Sequence, residues 1–149
     1  MNSPVCIDAN IAIKLVVEEE GSENARALWE EWGKSRAELI APTLWSYEIT
    51  AAIRRKIYRG LLTPEEGEEA LEAALGLPVM LLKPSHRRAL ILAEELNRPT
   101  AYDAHYLALA EALECEFWTV DEHLYNSVKE TLPWVKLLGV DESDEHELR

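Results

Sequence analysis

Short apolar runs recur along the chain at "PVCID" (4–8), "ELIAP" (38–42), "PVMLL" (78–82), "EFWTVD" (116–121) and "WVKLL" (134–138). Each is too short for a helix and rich in branched or aromatic side chains, so each reads as a strand. Between them lie longer stretches whose apolar residues fall three and four apart, the repeat of a helix with one buried face. Capping patterns mark several helix starts: Ser22 before "ENARALWEEW", Thr63 followed by Pro64 and Glu66, and Ser85 before "HRRALILAEEL". Strands alternating with helices predict an α/β fold in which a central, mostly parallel sheet carries helices on its faces.

Length narrows this to one domain. At 149 residues with 48% hydrophobic side chains, the chain can bury one core and is too short to expect two. No internal repeat or linker divides it, so residues 1–140 are expected to form a single domain and the acidic residues 141–149 a disordered tail. No apolar stretch nears the roughly 20 residues that cross a bilayer, and no basic region leads into a signal-like run. The expectation is a soluble, cytoplasmic protein with no membrane partner. In that compartment Cys6 and Cys115, each in an apolar stretch, are expected as reduced core thiols rather than a disulfide or a metal pair.

Charge changes the picture more. Fifteen basic against 28 acidic residues leave a net charge of −13, which argues against a general electrostatic hold on nucleic acid. The distribution is uneven. Acids crowd into "EEEGSE", "PEEGEEALE" and the tail "DESDEHE", which read as solvated faces and a frayed end, while bases concentrate in "RRKIYR" (54–59) and "HRR" (86–88). Lys14, Arg54, Arg55 and Arg88 are candidates to meet phosphates, set against the plainer role of a basic helix end favoured by the dipole. The four histidines show no ligand spacing. Helices bearing "LWEEW" and "LWSYEITAAI" carry more large apolar groups than a domain this small readily hides, which predicts an exposed interface patch.

Several carboxylates stand where a surface role does not explain them. Asp8 terminates the first apolar run and Asp121 a later one. Ligands of parallel sheets bind beyond the carboxyl ends of the strands, where strand order reverses, so these two acids face one crevice if their strands are neighbours. Glu48 lies three and four residues from Leu44, Trp45, Ala51 and Ala52, on the apolar stripe of its helix, and Asp103 heads the stripe of Tyr106, Leu107 and Ala110. Each has a plain alternative. Asp8 and Asp121 would cap the helices that follow them, Asp103 would be the third residue of a capping box begun by Thr100, and Glu48 would reach past the tryptophan to solvent. Four carboxylates gathered without a cation repel one another, and some must stay protonated. A hard divalent cation resolves this, and oxygen-only ligands suit Mg²⁺ or Mn²⁺. No serine elbow and no paired cysteine and histidine support a covalent route, so hydrolysis by metal-activated water is the fitting chemistry.

The segments "VCIDANIAIKL", "PTLWSYEITAAIRR", "TAYDAHYLALAEAL" and "FWTVDEHL" resemble the four acidic motifs of the PIN-domain family, and their order and spacing resemble the small VapC-like ribonuclease toxins of toxin–antitoxin pairs. The resemblance runs from the first strand to about Leu124. It implies an α/β/α sandwich, a Mg²⁺ or Mn²⁺ site and endonucleolytic cleavage of RNA. The motif acids fall on Asp8, Glu48, Asp103 and Asp121, the small polar residue of the first motif on Asn10, and the threonine of the fourth on Thr119. On this reading Asp8, Asp103 and Asp121 are the main metal contacts, Glu48 holds or deprotonates a water, and Asn10 and Thr119 orient carboxylates. VapC-like relatives further imply a homodimer and an antitoxin that covers the site. A catalytically inactive PIN-type binding module and a stand-alone RNA-processing nuclease remain as alternatives. A phospho-acceptor domain would want its aspartate at the end of "PVMLLKPSH", which has no acid, and an aspartyl phosphatase would want a second aspartate where Asn10 stands.

Overall fold

The structure, a computed structural model, describes residues 3–139; the acidic tail expected at 141–149 lies outside the described residues. Five strands, β1 (Pro4–Ile7), β2 (Glu38–Pro42), β3 (Met80–Leu82), β4 (Glu116–Thr119) and β5 (Val135–Leu137), fall within the five apolar runs of the sequence. The helices between them are α1 (Ala9–Val16), α2 (Ser22–Ser35), α3 (Leu44–Tyr58), α4 (Pro64–Leu75), α5 (His86–Glu95), α6 (Tyr102–Ala112) and α7 (Glu122–Val128). All strand pairs are parallel and the sheet order is β3-β2-β1-β4-β5. Val5, Cys6 and Ile7 are all buried, because a central parallel strand is covered by helices on both faces. This is an α/β/α sandwich: α6 lies against β1, β2 and β4, while α1 packs against α2, α3 and α4.

Chain order places β2 and β3 to one side of β1 and β4 and β5 to the other. Strand order therefore reverses between β1 and β4, and the crevice beyond their carboxyl ends is where such sheets take ligands. Because β1 and β4 are direct neighbours, the condition for Asp8 and Asp121 to face each other is met.

Two of the three helix starts follow the sequence. Thr63 and Glu66 close a reciprocal capping box, and Ser85 accepts the N–H of Arg88 at 3.1 Å. Ser22 does not cap α2; Gly21 does, in the left-handed region at φ 91°. The Ser22 side chain turns inward, donating to the Val17 carbonyl at 3.1 Å and accepting the Glu19 N–H at 2.9 Å. It closes the loop instead, because those buried backbone groups need partners. The large apolar groups of α2 and α3 divide: Leu28, Trp32, Trp45 and Ile49 are buried in one continuous core, whereas Tyr47 is 75% exposed. Both cysteines are buried and free. No described helix is long and apolar enough to cross a membrane.

Candidate active site

Asp8 follows β1 and opens α1 as its N-cap, with Oδ1 accepting the Asn10 N–H at 3.0 Å and the Asn10 side-chain amide at 3.5 Å. The β1–β4 ladder continues past the strand end, where the Asp8 N–H donates to the Trp118 carbonyl at 3.0 Å. This sets Asp8 beside Thr119, which is buried. The Thr119 hydroxyl donates to Asp8 Oδ2 at 3.0 Å and accepts the Asp121 N–H at 3.1 Å. One hydroxyl thus holds the first acid and the start of the segment bearing the last. Asp121 caps α7, its Oδ1 accepting the Leu124 N–H at 3.0 Å. Both strand-end acids are therefore helix caps, as the plain alternative has it. Capping and sharing a crevice are compatible, since each carboxylate sits at the positive end of its helix.

Glu48 flanks the buried stripe of α3 rather than lying on it: Trp45, Ile49, Ala52 and Ile53 are buried, Ala51 is exposed and Glu48 is half-buried. Its partner is the Tyr106 hydroxyl, which donates to Oε1 at 2.5 Å. Tyr106 is itself buried and stacked on Phe117, with ring centroids 5.2 Å apart, so the direction of that hydroxyl is set by packing. Asp103 stands in the first turn of α6. That helix has Ala101 at its N-cap and no side-chain cap, so the capping box from Thr100 does not form. Asp103 Oδ2 instead accepts Arg98 Nη2 at 3.0 Å.

Burial pushes the Asp8 carboxyl above the usual carboxylate range; hydrogen bonds from Asn10 and Thr119 oppose the shift, and the Asp103 charge adds to it. Burial likewise raises Glu48 to about 7; the Tyr106 hydrogen bond opposes this, and the charges of Asp8 and Asp103 add to it. Asp8, Glu48 and Asp103 thus lie in one another's electrostatic field, and Asp121 is tied to them through Thr119.

The PIN domain matches residues 5–129. The chain belongs to the PIN-domain family. Ribonuclease VapC12 of Mycobacterium tuberculosis, in the CDC 1551 and H37Rv strains, is 33% identical over 127 residues, covering 83% of this chain and 91% of the relative.

In this PIN domain, no three His, Cys, Asp or Glu side chains among the described residues are close enough to hold one ion by direct contact alone. The donor set still fits a hard cation that retains part of its water shell, because the candidate groups are carboxylates and the charges of Asp8 and Asp103 add to the burial that raises Glu48. A cleft of about 600 Å³ beside Val5, Cys115, Glu116 and Trp134 lies at the amino ends of β1 and β4, the far end from these acids.

The basic candidates separate. Lys14 is drawn to Glu19 at 3.0 Å and to the Glu20 carbonyl at 2.7 Å. Glu19 also pairs with Lys56, so part of "EEEGSE" is a half-buried ion cluster rather than a solvated face: burial would raise Glu19, yet the two lysines hold it below the usual range. Arg88 grips Glu111 through Nε and Nη2 at 2.7 and 3.0 Å. Arg54 lies over the Tyr58 ring, 5.7 Å from its centroid. Arg55 is exposed and lines a cleft with Asn10 and Glu48. Any phosphate must compete with Glu19 for Lys14 and with Glu111 for Arg88.

Tyr106 and Arg98 touch the acids without having been singled out by their sequence. The one signal for Tyr106 is its place three residues after Asp103, on the same helical face. Arg98 precedes Pro99 in a turn, and nothing local distinguishes it from a surface arginine.

Proposed function

We propose that this PIN domain is a metal-dependent endoribonuclease of the VapC type, the toxin of a toxin–antitoxin pair. The observation that supports it is the sharing of one electrostatic field by Asp8, Glu48 and Asp103 at the switch point of the sheet, with Asp121 tied in through Thr119. Asp8, Asp103 and Asp121 would hold Mg²⁺ or Mn²⁺, directly or through water. When bound, the ion offsets charge on the phosphate and lowers the pKa of water nearby. Glu48, with a carboxyl near neutrality, is suited to take the proton that the attacking water loses. Tyr106 aims Glu48, Thr119 and Asn10 fix Asp8, and Arg98 fixes Asp103. Arg55 is the basic candidate placed to meet the RNA backbone.

The acidic crevice also suits the cationic side chain of an antitoxin. Self-association has its own support in large apolar groups left exposed on the edge strand β3 and on α5: Met80 and Leu90 are 62% and 67% exposed, with Leu81 and Ile91 beside them. These exposed groups favour a second copy packing against them.

Purified protein is expected to cut single-stranded RNA with Mg²⁺ or Mn²⁺ and to stop with chelator. Glu48→Gln is expected to lose about 10² to 10⁴ in kcat with the fold intact, and Asp8→Asn to be at least as severe. Full activity in chelator, or parental activity in both variants, would remove the site. A monomer in light scattering would remove the dimer.

A further inference from the structure

Between α1, α3 and the start of α6 lies a cleft of about 300 Å³ whose walls include Asn10, Leu44, Tyr47, Glu48, Arg55 and Tyr102. It is at the small end of the range for ligand sites. Tyr47 is 75% exposed and Tyr102 is 61% exposed. Each immediately precedes an acid of the candidate site, Glu48 and Asp103, so the two rings arrive on different helices beside the carboxylates. Neither ring has a hydrogen-bond or ring partner among the described residues, whereas the other tyrosine of α6, Tyr106, is buried and bonded. Arg55 makes no ion pair among the described residues, in contrast to Lys14 and Arg88.

We propose that Tyr47 and Tyr102 form a stacking platform for an unpaired nucleobase of the substrate RNA, with Arg55 on the adjoining phosphate. The proposal rests on the ribonuclease reading and adds to it which part of the strand the protein grips. Exposed aromatic faces hold bases of single strands without needing sequence, because every base presents a π-face. They also offer what the net charge of −13 withholds: attraction that does not depend on a broad basic surface. A duplex keeps its bases stacked inside and cannot use the rings, so the cleft selects single-stranded or looped RNA. One base seated beside Glu48 puts its flanking phosphate at the carboxylates.

The test measures binding and cleavage separately. Short end-labelled RNA, single-stranded or as a duplex, is titrated with Ca²⁺ present and followed by anisotropy; the same RNA is incubated with Mg²⁺ and resolved on a gel. Tyr47→Ala and Tyr102→Ala are each expected to raise Kd for the single strand about 5- to 140-fold, the range of stacking losses on alanine substitution. Tyr47→Phe and Tyr102→Phe are expected to stay within about twofold, since a phenyl face stacks as a phenol face does. An oligonucleotide abasic at the seated position is expected to bind weakly and to be insensitive to the alanine changes. Unchanged Kd in the alanine variants, equal losses on duplex and single strand, phenylalanine variants as weak as alanine, or no binding by the parent would each overturn the platform. So would RNA binding that stays intact while Tyr47→Ala abolishes self-association, which would assign the rings to a protein interface. Ring-dependent binding by a parent that cuts nothing would uphold the platform and sink the ribonuclease reading; cutting that ignores both rings would do the reverse.

Discussion

At the scale of the residue, Glu48 concentrates the physics of the site. Its ordinary carboxyl pKa is 4.5 and burial carries it to about 7 in the folded chain. Between those values the native protein keeps a proton that the unfolded chain has released. The stability this group contributes is therefore fully present below about 4.5 and is lost as pH rises through about 7. Chelated protein is expected to melt at progressively lower temperature from about pH 5 to about pH 8, and Glu48→Gln to flatten that slope by removing the titrating group. Parallel slopes in thermal melts of the two proteins would mean that Glu48 is not held protonated. Tyr106 acts against the shift, since its hydroxyl donates to the charged form. Tyr106→Phe is accordingly expected to steepen the same slope.

At the scale of the element, the helices carry both local and non-local instructions. Thr63 and Glu66 form a box that any four-residue window can announce. Gly67, four residues into α4, has the opposite character. Helix propensity alone says that alanine there should stabilise by about 1 kcal/mol. A Cβ at 67 would lie 2.3 Å from Ile57 Cδ1 and 2.9 Å from Ile57 Cγ1 on α3, so the glycine is there to let two helices approach. Gly67→Ala is expected to lose about 1 to 3 kcal/mol, the cost of overpacking, rather than gain. A urea melt showing a gain of propensity size would mean that Ile57 gives way freely. His86 on α5 and His105 on α6 make the same point about partners. They are 19 residues apart in sequence, yet Nδ1 and Nε2 meet at 2.9 Å, a pairing that no ligand-spacing rule detects.

At the scale of the whole molecule, the acids should cost folding energy until a cation arrives. With free Mg²⁺ at about ten times its Kd, mass action adds about 1.4 kcal/mol, a rise of about 3 to 6 °C in Tm for a chain of this size. The informative variant follows from the ion pairs. Asp103→Asn relieves repulsion but strands Arg98, whose side chain is 17% exposed and whose Nε is already buried without a partner. That substitution is expected to lower Tm in chelator. Glu48→Gln keeps the acceptor for Tyr106 and removes a charge, so it is expected to hold or raise Tm in chelator and to shrink the gain from Mg²⁺. Equal Mg²⁺ shifts in parent and Glu48→Gln would take Glu48 out of the cation's reach.

The strands and two helix starts were legible in the chain because they are written in local periods: five apolar runs became five strands, and Thr63 and Ser85 capped where expected. The four acids stand out in the sequence because a carboxylate at a strand end or near an apolar stripe conflicts with its own neighbourhood. Ser22 misled for the same local reason, since a serine before a helical pattern looks like a cap whether or not the loop needs its hydroxyl elsewhere. Partnership was not legible. Thr119 meets Asp8 across 111 positions and Tyr106 meets Glu48 across 58, and both contacts exist only because β4 lies beside β1 and because α3 and α6 both pack against β2. Lys14 and Arg88 looked like free cations until the fold brought Glu19 and Glu111 to them. The physical reason is common to all of these. Periodicity and capping are satisfied within a few residues, so sequence alone determines them. Which carboxylate meets which hydroxyl, lysine or arginine depends on strand order and helix docking, settled by burial of the whole core, so tertiary structure alone decides it.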